Sequence, residues 1–387
     1  MSIAAPLLCF QPKLPDPARI ISWAHIGDLH MTKAGEQNDL DLIAIVDEIN
    51  RRFAGSISFV YIPGDVADDG SASAYVVVRN ALDYLQAPWC SVIGDHDVHE
   101  KSFNNYLSFM AHAKHYSFVI GAVRFVALNA LDIPDPGSFS LLDEQFDWLE
   151  EEIRRAEREQ QSVVLLLHCY PTDLKQGGER LRRLVAAPSV RLIDMGHTHY
   201  NELANDGQTL YTATRSTGQT EEGPVGFSVT NIDGAVISWK FFLLDELPVV
   251  MITSPADERF ITDASLEGHV AESKIVVRAK AWANGQIRKV DASLGGQDVP
   301  MSQISESNVW QVDLERGSLA DGVYQLTVAA TDENGQTAED SIRLVLGASA
   351  YKSQRRSERD QDNAVEAWPE RGLLGTQLGP NKNGRKW

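Results

Sequence analysis

The apolar positions of this chain follow two rhythms, and the change comes near residue 248. Through residues 19–244, short unbroken apolar runs alternate with stretches whose apolar residues recur every three or four positions. The runs at 19–25, 57–62, 91–93, 163–167 and 190–195 read as buried strands, because a strand covered on both faces needs no polar alternation. Residues 39–53, 71–85 and 141–160 read as helices. In the last of these Leu142, Phe146, Leu149 and Ile153 share one face. Residues 116–119 and 123–128 read as a hairpin through Gly121. Strands at 210–214, 227–231 and 235–244 close the unit, with Asp233-Gly234 turning the last hairpin. Helices interleaved with buried strands specify a layered α/β fold with antiparallel strands at its end.

From residue 248 the pattern is that of short strands at 249–253, 275–282, 289–294, 310–314, 323–330 and 338–346. They are punctuated by Asn284-Gly285, Gly295-Gly296, Asp321-Gly322 and Asn334-Gly335. About a hundred such residues suggest an immunoglobulin-like β-sandwich. The expected organisation is an N-terminal extension (1–18), an α/β unit (19–247), the sandwich (248–347) and a tail (348–387). From Lys352 onward the tail carries eight basic and five acidic residues. It reads either as a disordered end or as a segment that docks on the acidic body or a neighbouring subunit, anchored by Trp387.

Composition narrows the function classes. A net charge of −19 repels nucleic acid and anionic membranes at long range. Nuclease activity is therefore disfavoured, and no membrane partner is expected. Three cysteines without ligand spacing suggest no disulfide framework, and the first residues do not resemble a signal peptide. A cytoplasmic location is the corresponding expectation.

Five segments carry candidate chemistry, four of them directly after an apolar run. They are Gly27-Asp28-Leu29-His30, Gly64-Asp65, Gly94-Asp95-His96-Asp97, Leu167-His168 and Gly196-His197-Thr198-His199. In a β/α layout, side chains beyond the carboxyl ends of strands converge in one crevice. That crevice would gather Asp28, His30, Asp65, Asp95, His168, His197 and His199. Mixed carboxylate and imidazole donors suit Mn, Fe or Zn. Seven donors are too many for one ion and fit two. Two ions roughly 3.5–4 Å apart clamp both the attacking and leaving oxygens of a displacement at phosphorus, with a bridging water as nucleophile.

These five blocks, in this order, resemble the calcineurin-like metallophosphoesterases over residues 20–244. The resemblance implies a four-layer α/β/β/α sandwich with two divalent or trivalent ions. One would be held by Asp28, His30 and His199 and the other by Asp95, His168 and His197, with Asp65 bridging. It implies His96 beside the leaving group and Asp97 orienting that imidazole. Asp95 stands where the family usually has Asn, which would tighten metal binding and favour phosphodiesters over more negative monoesters. In length and spacing the catalytic part is similar to bacterial cyclic-nucleotide phosphodiesterases, so a small phosphodiester is the expected substrate. A phosphomonoesterase or phospholipid-headgroup diesterase is the alternative on the same site. A scaffold protein working through its β-sandwich is the alternative of another class, and homo-oligomerisation through sandwich or tail is the partner expectation. Among neighbouring residues, Asp68 and Asp69 are expected to cap the helix near Ser71. His25 is expected to be packed and His99 to sit on a surface loop, while Asn129 and Tyr200 are candidates for lining the pocket.

Overall fold

The computed structural model describes residues 10–14, 18–53, 55–111, 113–132, 135, 137–263, 274–351 and 363–374. Its first part runs β1 (Ile21–His25), α1 (Gln37–Glu48), β2 (Phe59–Ile62), α2 (Ala72–Leu82), β3 (Trp89–Ser91), α3 (Asn104–Phe109), β4 (Tyr116–Ile120) and β5 (Val123–Ala127). It continues through α4 (Asp143–Arg158), β6 (Ser162–Leu166), α5 (Gly178–Val185), β7 (Val190–Met195), β8 (Glu202–Asn205), β9 (Leu210–Ala213), β10 (Gly226–Asp233) and β11 (Val236–Leu243). One sheet has the order β11-β10-β1-β2-β3 and the other β4-β5-β6-β7-β9-β8. β1, β2 and β3 are parallel, as are β5, β6, β7 and β9.

Side-chain alternation explains the unbroken apolar runs. Phe59 and Tyr61 of β2 point into the same cluster as Trp23, Phe125 and Leu166, between the two sheets. Val60 and Ile62 turn the other way and join Leu42, Val46, Val78 and Leu82 of α1 and α2. On the other sheet Val163 and Leu165 meet Phe146, Leu149 and Ile153 of α4. Trp23 stacks on Phe59 at 5.8 Å and meets Phe125 edge-on at 5.4 Å, which fixes the seam between the sheets. The parallel strands thus end together at one rim, where the motif loops begin.

The second part contains β12 (Val249–Ser254), β13 (Lys274–Trp282), β14 (Ile287–Leu294), β15 (Gln297–Pro300), β16 (Ser302–Gln303), β17 (Val309–Glu315), β18 (Gly322–Asp332) and β19 (Thr337–Leu346). These form two antiparallel four-stranded sheets, β12-β13-β17-β16 and β15-β14-β18-β19. The junction with the first part is aromatic and charged at once. Trp282 packs on Phe53 and Phe242. Lys280 donates to Ser22 Oγ at 2.8 Å and the Ser56 carbonyl at 3.0 Å, and Arg278 donates to both oxygens of Asp233.

Residues 363–374 lie against this junction. Trp368 is buried against the guanidinium of Arg259, 3.3 Å from its ring centre, and that of Arg371 at 4.7 Å. Arg371 donates to the Trp239 carbonyl at 3.0 Å and to Asp340. Trp387, expected as the tail's anchor, lies outside the described residues.

Asp340 is the hub of the junction. It is fully buried and accepts from the Ile252 N–H at 2.7 Å, from Lys240 at 3.5 Å and from Arg371. Burial pulls the Lys240 ammonium below its ordinary pKa, and Asp340 opposes that pull. Asp340→Ala would leave two buried cations without their carboxylate. It is expected to lower the unfolding free energy by about 3–5 kcal/mol, measured by urea denaturation. A loss below about 1 kcal/mol would mean that other groups can replace the carboxylate.

Candidate metal centre

All seven expected donors meet at the shared rim of the two sheets, in two overlapping groups. Asp28, His30, Asp65 and His199 form one; Asp65, Asp95, His168 and His197 form the other. Within each group one donor atom per residue lies within 4.8 Å of every other. Asp65 belongs to both. The Nε2 atoms of His30 and His199 face each other at 3.0 Å, and His168 Nε2 lies 3.2 Å from Asp95 Oδ1 and 3.5 Å from Asp65 Oδ2.

The backbone is bent to achieve this. His30, Asp65, His197 and His199 have φ of 41°, 46°, 67° and 64°. Non-glycine residues seldom occupy this left-handed region, which costs on the order of 1–3 kcal/mol each. Loop-to-loop bonds hold them there. His30 N–H donates to the Asp65 carbonyl at 2.8 Å and Met31 N–H to Val66 at 3.0 Å. His197 N–H donates to Asp28 Oδ2 at 2.7 Å, and His96 N–H to Asp65 Oδ1 at 2.9 Å. The motif glycines permit the contact: a Cβ on Gly196 would stand 2.3 Å from Asp28 Oδ1, and one on Gly94 2.2 Å from the Asp65 backbone nitrogen.

The donor set fits cations. Asp28 Oδ1, Asp65 Oδ2 and His197 Nδ1 are buried with no hydrogen-bond partner among the described residues. Buried acceptors of this kind are costly unless something satisfies them. Burial raises the Asp28 carboxyl. Burial also acts on Asp65 and Asp95, but His168, joined by His197 at Asp95, outweighs it and holds both carboxyls well below the usual range. Burial and the neighbouring His30 push His199 down to about 3, which keeps it a neutral donor.

The candidate acid is placed differently from its expected partner. His96 is half-exposed at the mouth of the site, and its Nδ1 lies 2.8 Å from the carbonyl of Asp68. Burial lowers its pKa, but Asp65 and the Asp68 carbonyl outweigh that and raise it. Asp97 does not touch the imidazole. Its carboxylate turns inward and accepts from the N–H groups of Val66, Ala67 and Gly94 and from Tyr75 O–H at 2.8 Å. Its role is therefore to tie the second and third motif loops together. Burial and the charge of Asp65 push its carboxyl up to about 7.

Several neighbouring positions also sort themselves out. Asp68 does not cap α2; its Oδ1 lies 3.3 Å from His30 Nδ1, while Asp69 accepts from Ser71 N–H ahead of that helix. His25 is buried, paired with Asp194 at 2.8 Å, and His99 Nδ1 lies 3.0 Å from the Asp69 carbonyl. Asn129 is buried, and its side chain bonds to the backbone of Leu131. Tyr200 donates to Glu221 at 2.8 Å, and that carboxylate lies 3.8 Å from His199 Nδ1. Phe139, which the sequence pattern did not single out, stands edge-on to His197 at 4.8 Å and walls the second donor group. It lies in an irregular loop, so no periodicity marked it.

The fold and these two donor groups define a metallophosphoesterase domain. Residues 21–201 match the family model described as calcineurin-like phosphoesterase, and this stretch of the chain is a calcineurin-like metallophosphoesterase domain. A "probable cyclic nucleotide phosphodiesterase" of Synechococcus is 25% identical over 225 residues, covering 54% of this chain and 84% of the relative. Another so described, from Xenorhabdus bovienii, is 26% identical over 83 residues, covering 20% of this chain and 34% of that protein. The crystal structure of a dimetal phosphatase from Danio rerio superposes with a TM-score of 0.51 at 16% identity, covering 58% of this chain and 96% of that one. That last likeness speaks to the fold.

Gly196→Ala tests the close approach at the centre. The added methyl meets Asp28 Oδ1 at 2.3 Å and Pro63 at 2.7 Å. Divalent-metal affinity is expected to fall about tenfold or more, read by titrating Mn²⁺ into the metal-free protein. Unchanged affinity would show that the Asp28 loop can shift without loss.

Proposed function

We propose that the chain is a two-metal phosphoesterase acting on a small phosphodiester, with a cyclic nucleotide as the leading candidate. The observation that carries this reading is the pair of donor groups sharing Asp65, whose Oδ2 is buried without a hydrogen-bond partner among the described residues. Asp28, His30 and His199 would hold one ion, and Asp95, His168 and His197 the other, with Mn, Fe or Zn suiting the mixed donors. When bound, the two ions would stabilise charge at phosphorus and make water nucleophilic near neutral pH. The names of the two sequence relatives support a diester, and the acidic chain disfavours a nucleic-acid substrate.

The chain's own residues supply the rest. The Asp68 carbonyl takes the Nδ1–H of His96, which leaves Nε2 to meet a leaving-group oxygen as acid or as a partner for its charge. Phe139 excludes water from the side of His197 and His168. Asp95 adds a negative charge beside the second ion and lacks the amide donor that an Asn would offer a phosphate oxygen. This disfavours the more negative monoester. Lettering β12 to β19 as A, B, C, C′, D, E, F and G gives sheets A-B-E-D and C′-C-F-G. That order supports reading the C-terminal unit as an immunoglobulin-like sandwich.

Turnover of bis-p-nitrophenyl phosphate, p-nitrophenyl phosphate and cyclic AMP, each with Mn²⁺, tests the assignment. Diester hydrolysis is expected to exceed monoester hydrolysis, and no turnover of any of the three would overturn it. His96→Ala is expected to lower kcat by about 10²–10⁴-fold while metal content stays unchanged. Asp95→Asn is expected to weaken metal retention and shift preference toward the monoester. Unchanged metal content and preference would remove Asp95 as a specificity determinant.

A further inference from the structure

Two of the four donors in the first group, Asp28 and His199, are held at their backbone by one loop. Ser216 N–H donates to the His199 carbonyl at 3.3 Å, and Thr217 and Gly218 N–H both donate to the Asp28 carbonyl at 3.0 Å. Ser216 Oγ adds a bond to the same Asp28 carbonyl at 2.8 Å. The loop itself is fixed one residue earlier. Arg215 N–H donates to Asn201 Oδ1 at 2.9 Å.

Asn201 is completely buried, two residues beyond His199, and its other amide atom reaches outside the catalytic domain. Its Nδ2 donates to the carbonyl of Gly372 at 2.8 Å. Gly372 belongs to the segment 363–374, which is firmly seated. Val365 N–H donates to the Leu203 carbonyl at 2.9 Å, and Ala364 pairs with Ala204 on the sheet-edge strand β8. Trp368 contacts two guanidiniums, and Arg371 is paired with Asp340 in the junction with the sandwich. Gly372 adopts φ of 80°, and a Cβ there would stand 2.7 Å from Phe241 Cβ. The carbonyl is therefore held in register with the Asn201 amide.

We propose that Asn201 is a positioning residue through which residues 363–374 hold the Asp28–His30–His199 half of the metal centre in shape, so that this C-terminal segment sets how tightly that half binds a divalent cation. The inference rests on the two-metal reading above. The hydrogen-bonded path touches the backbone of Asp28 and His199. Among the described residues Asp95 and His168 lie outside it, and His197 bonds to it through Asp28 Oδ2 alone. Disturbing the segment should therefore weaken one ion's site selectively, as partners one shell beyond metal ligands commonly do.

Mn²⁺ titration calorimetry on four metal-free proteins tests this: the full chain, Asn201→Asp, a chain ending at residue 362, and the two changes combined. Asn201→Asp keeps an acceptor for Arg215 N–H but sets an oxygen against the Gly372 carbonyl. The full chain is expected to show two sites. Each single change should weaken one of them about tenfold and leave the other intact, and the combination should be no weaker than the truncation alone. Trp368→Ala serves if the shortened chain does not fold, with the same one-site loss expected. Unchanged affinities, equal losses at both sites, or additive losses would overturn the proposal, since simple loosening of the fold affects both halves. A full chain that binds no Mn²⁺ would overturn the two-metal reading as well. Two-site binding with unchanged variants would overturn only this one.

Discussion

The interaction on which the rest of the structure depends is the meeting of three carboxylates, Asp28, Asp65 and Asp95, with four imidazoles at the rim of two stacked sheets. In a region of low dielectric, such carboxylates are tolerated only when neighbouring cations or donors compensate them. The chain provides part of that compensation itself. Backbone N–H groups serve one oxygen each of Asp28 and Asp65, while the opposite oxygen of each has no hydrogen-bond partner among the described residues. The arrangement is half satisfied by protein and shaped for the remainder to be satisfied by bound cations.

Holding that arrangement explains features that otherwise look like defects. Left-handed backbone at four donors costs stability, and the cost is borne by the stacked sheets beneath them. There Asp194 of β7 links the two layers, accepting from Trp23 Nε1 at 2.8 Å and from Thr212 at 3.0 Å and pairing with His25. β1 leads into Asp28, and β7 into His197, so the same buried contact fixes the relative position of loops from opposite sheets. Asp97 performs the corresponding task between the loops that carry Asp65 and Asp95.

Much of this was legible in the sequence because its causes are local. Buried parallel strands announce themselves as apolar runs, and 190–195 coincides with β7 residue for residue. The motif residues follow strand ends, so their convergence follows from topology alone. What was missed lacks a local signal. β8, β15 and β16 are short edge strands with mixed polarity, and half of the eight-residue α5 is charged. The partner expected for His96 was wrong because adjacency in sequence says little about a turn. In the short helical turn Asp95–Asp97, the side chain of Asp97 points inward while that of His96 points out. Phe139 and the Asn201–Gly372 bond join residues far apart in the chain, which no periodicity reports.

The C-terminal part also changes how the catalytic domain should be understood. The matched family segment ends at residue 201, at the residue whose side chain bonds the C-terminal segment. Beyond it, the loop of residues 215–218 and strands β10 and β11 complete the site and the first sheet, and β11 is followed by the sandwich. The interface between the two parts contains Lys240, Lys280, Arg278 and Arg371, each engaged by named acceptors. Charged groups buried on both sides tie the two parts in one geometry, because sliding one past the other would strand a cation away from water. An apolar joint would tolerate such sliding. The sandwich and the segment that follows it therefore act as a fixed buttress behind the loop of residues 215–218, which bonds to the backbone carbonyls of Asp28 and His199.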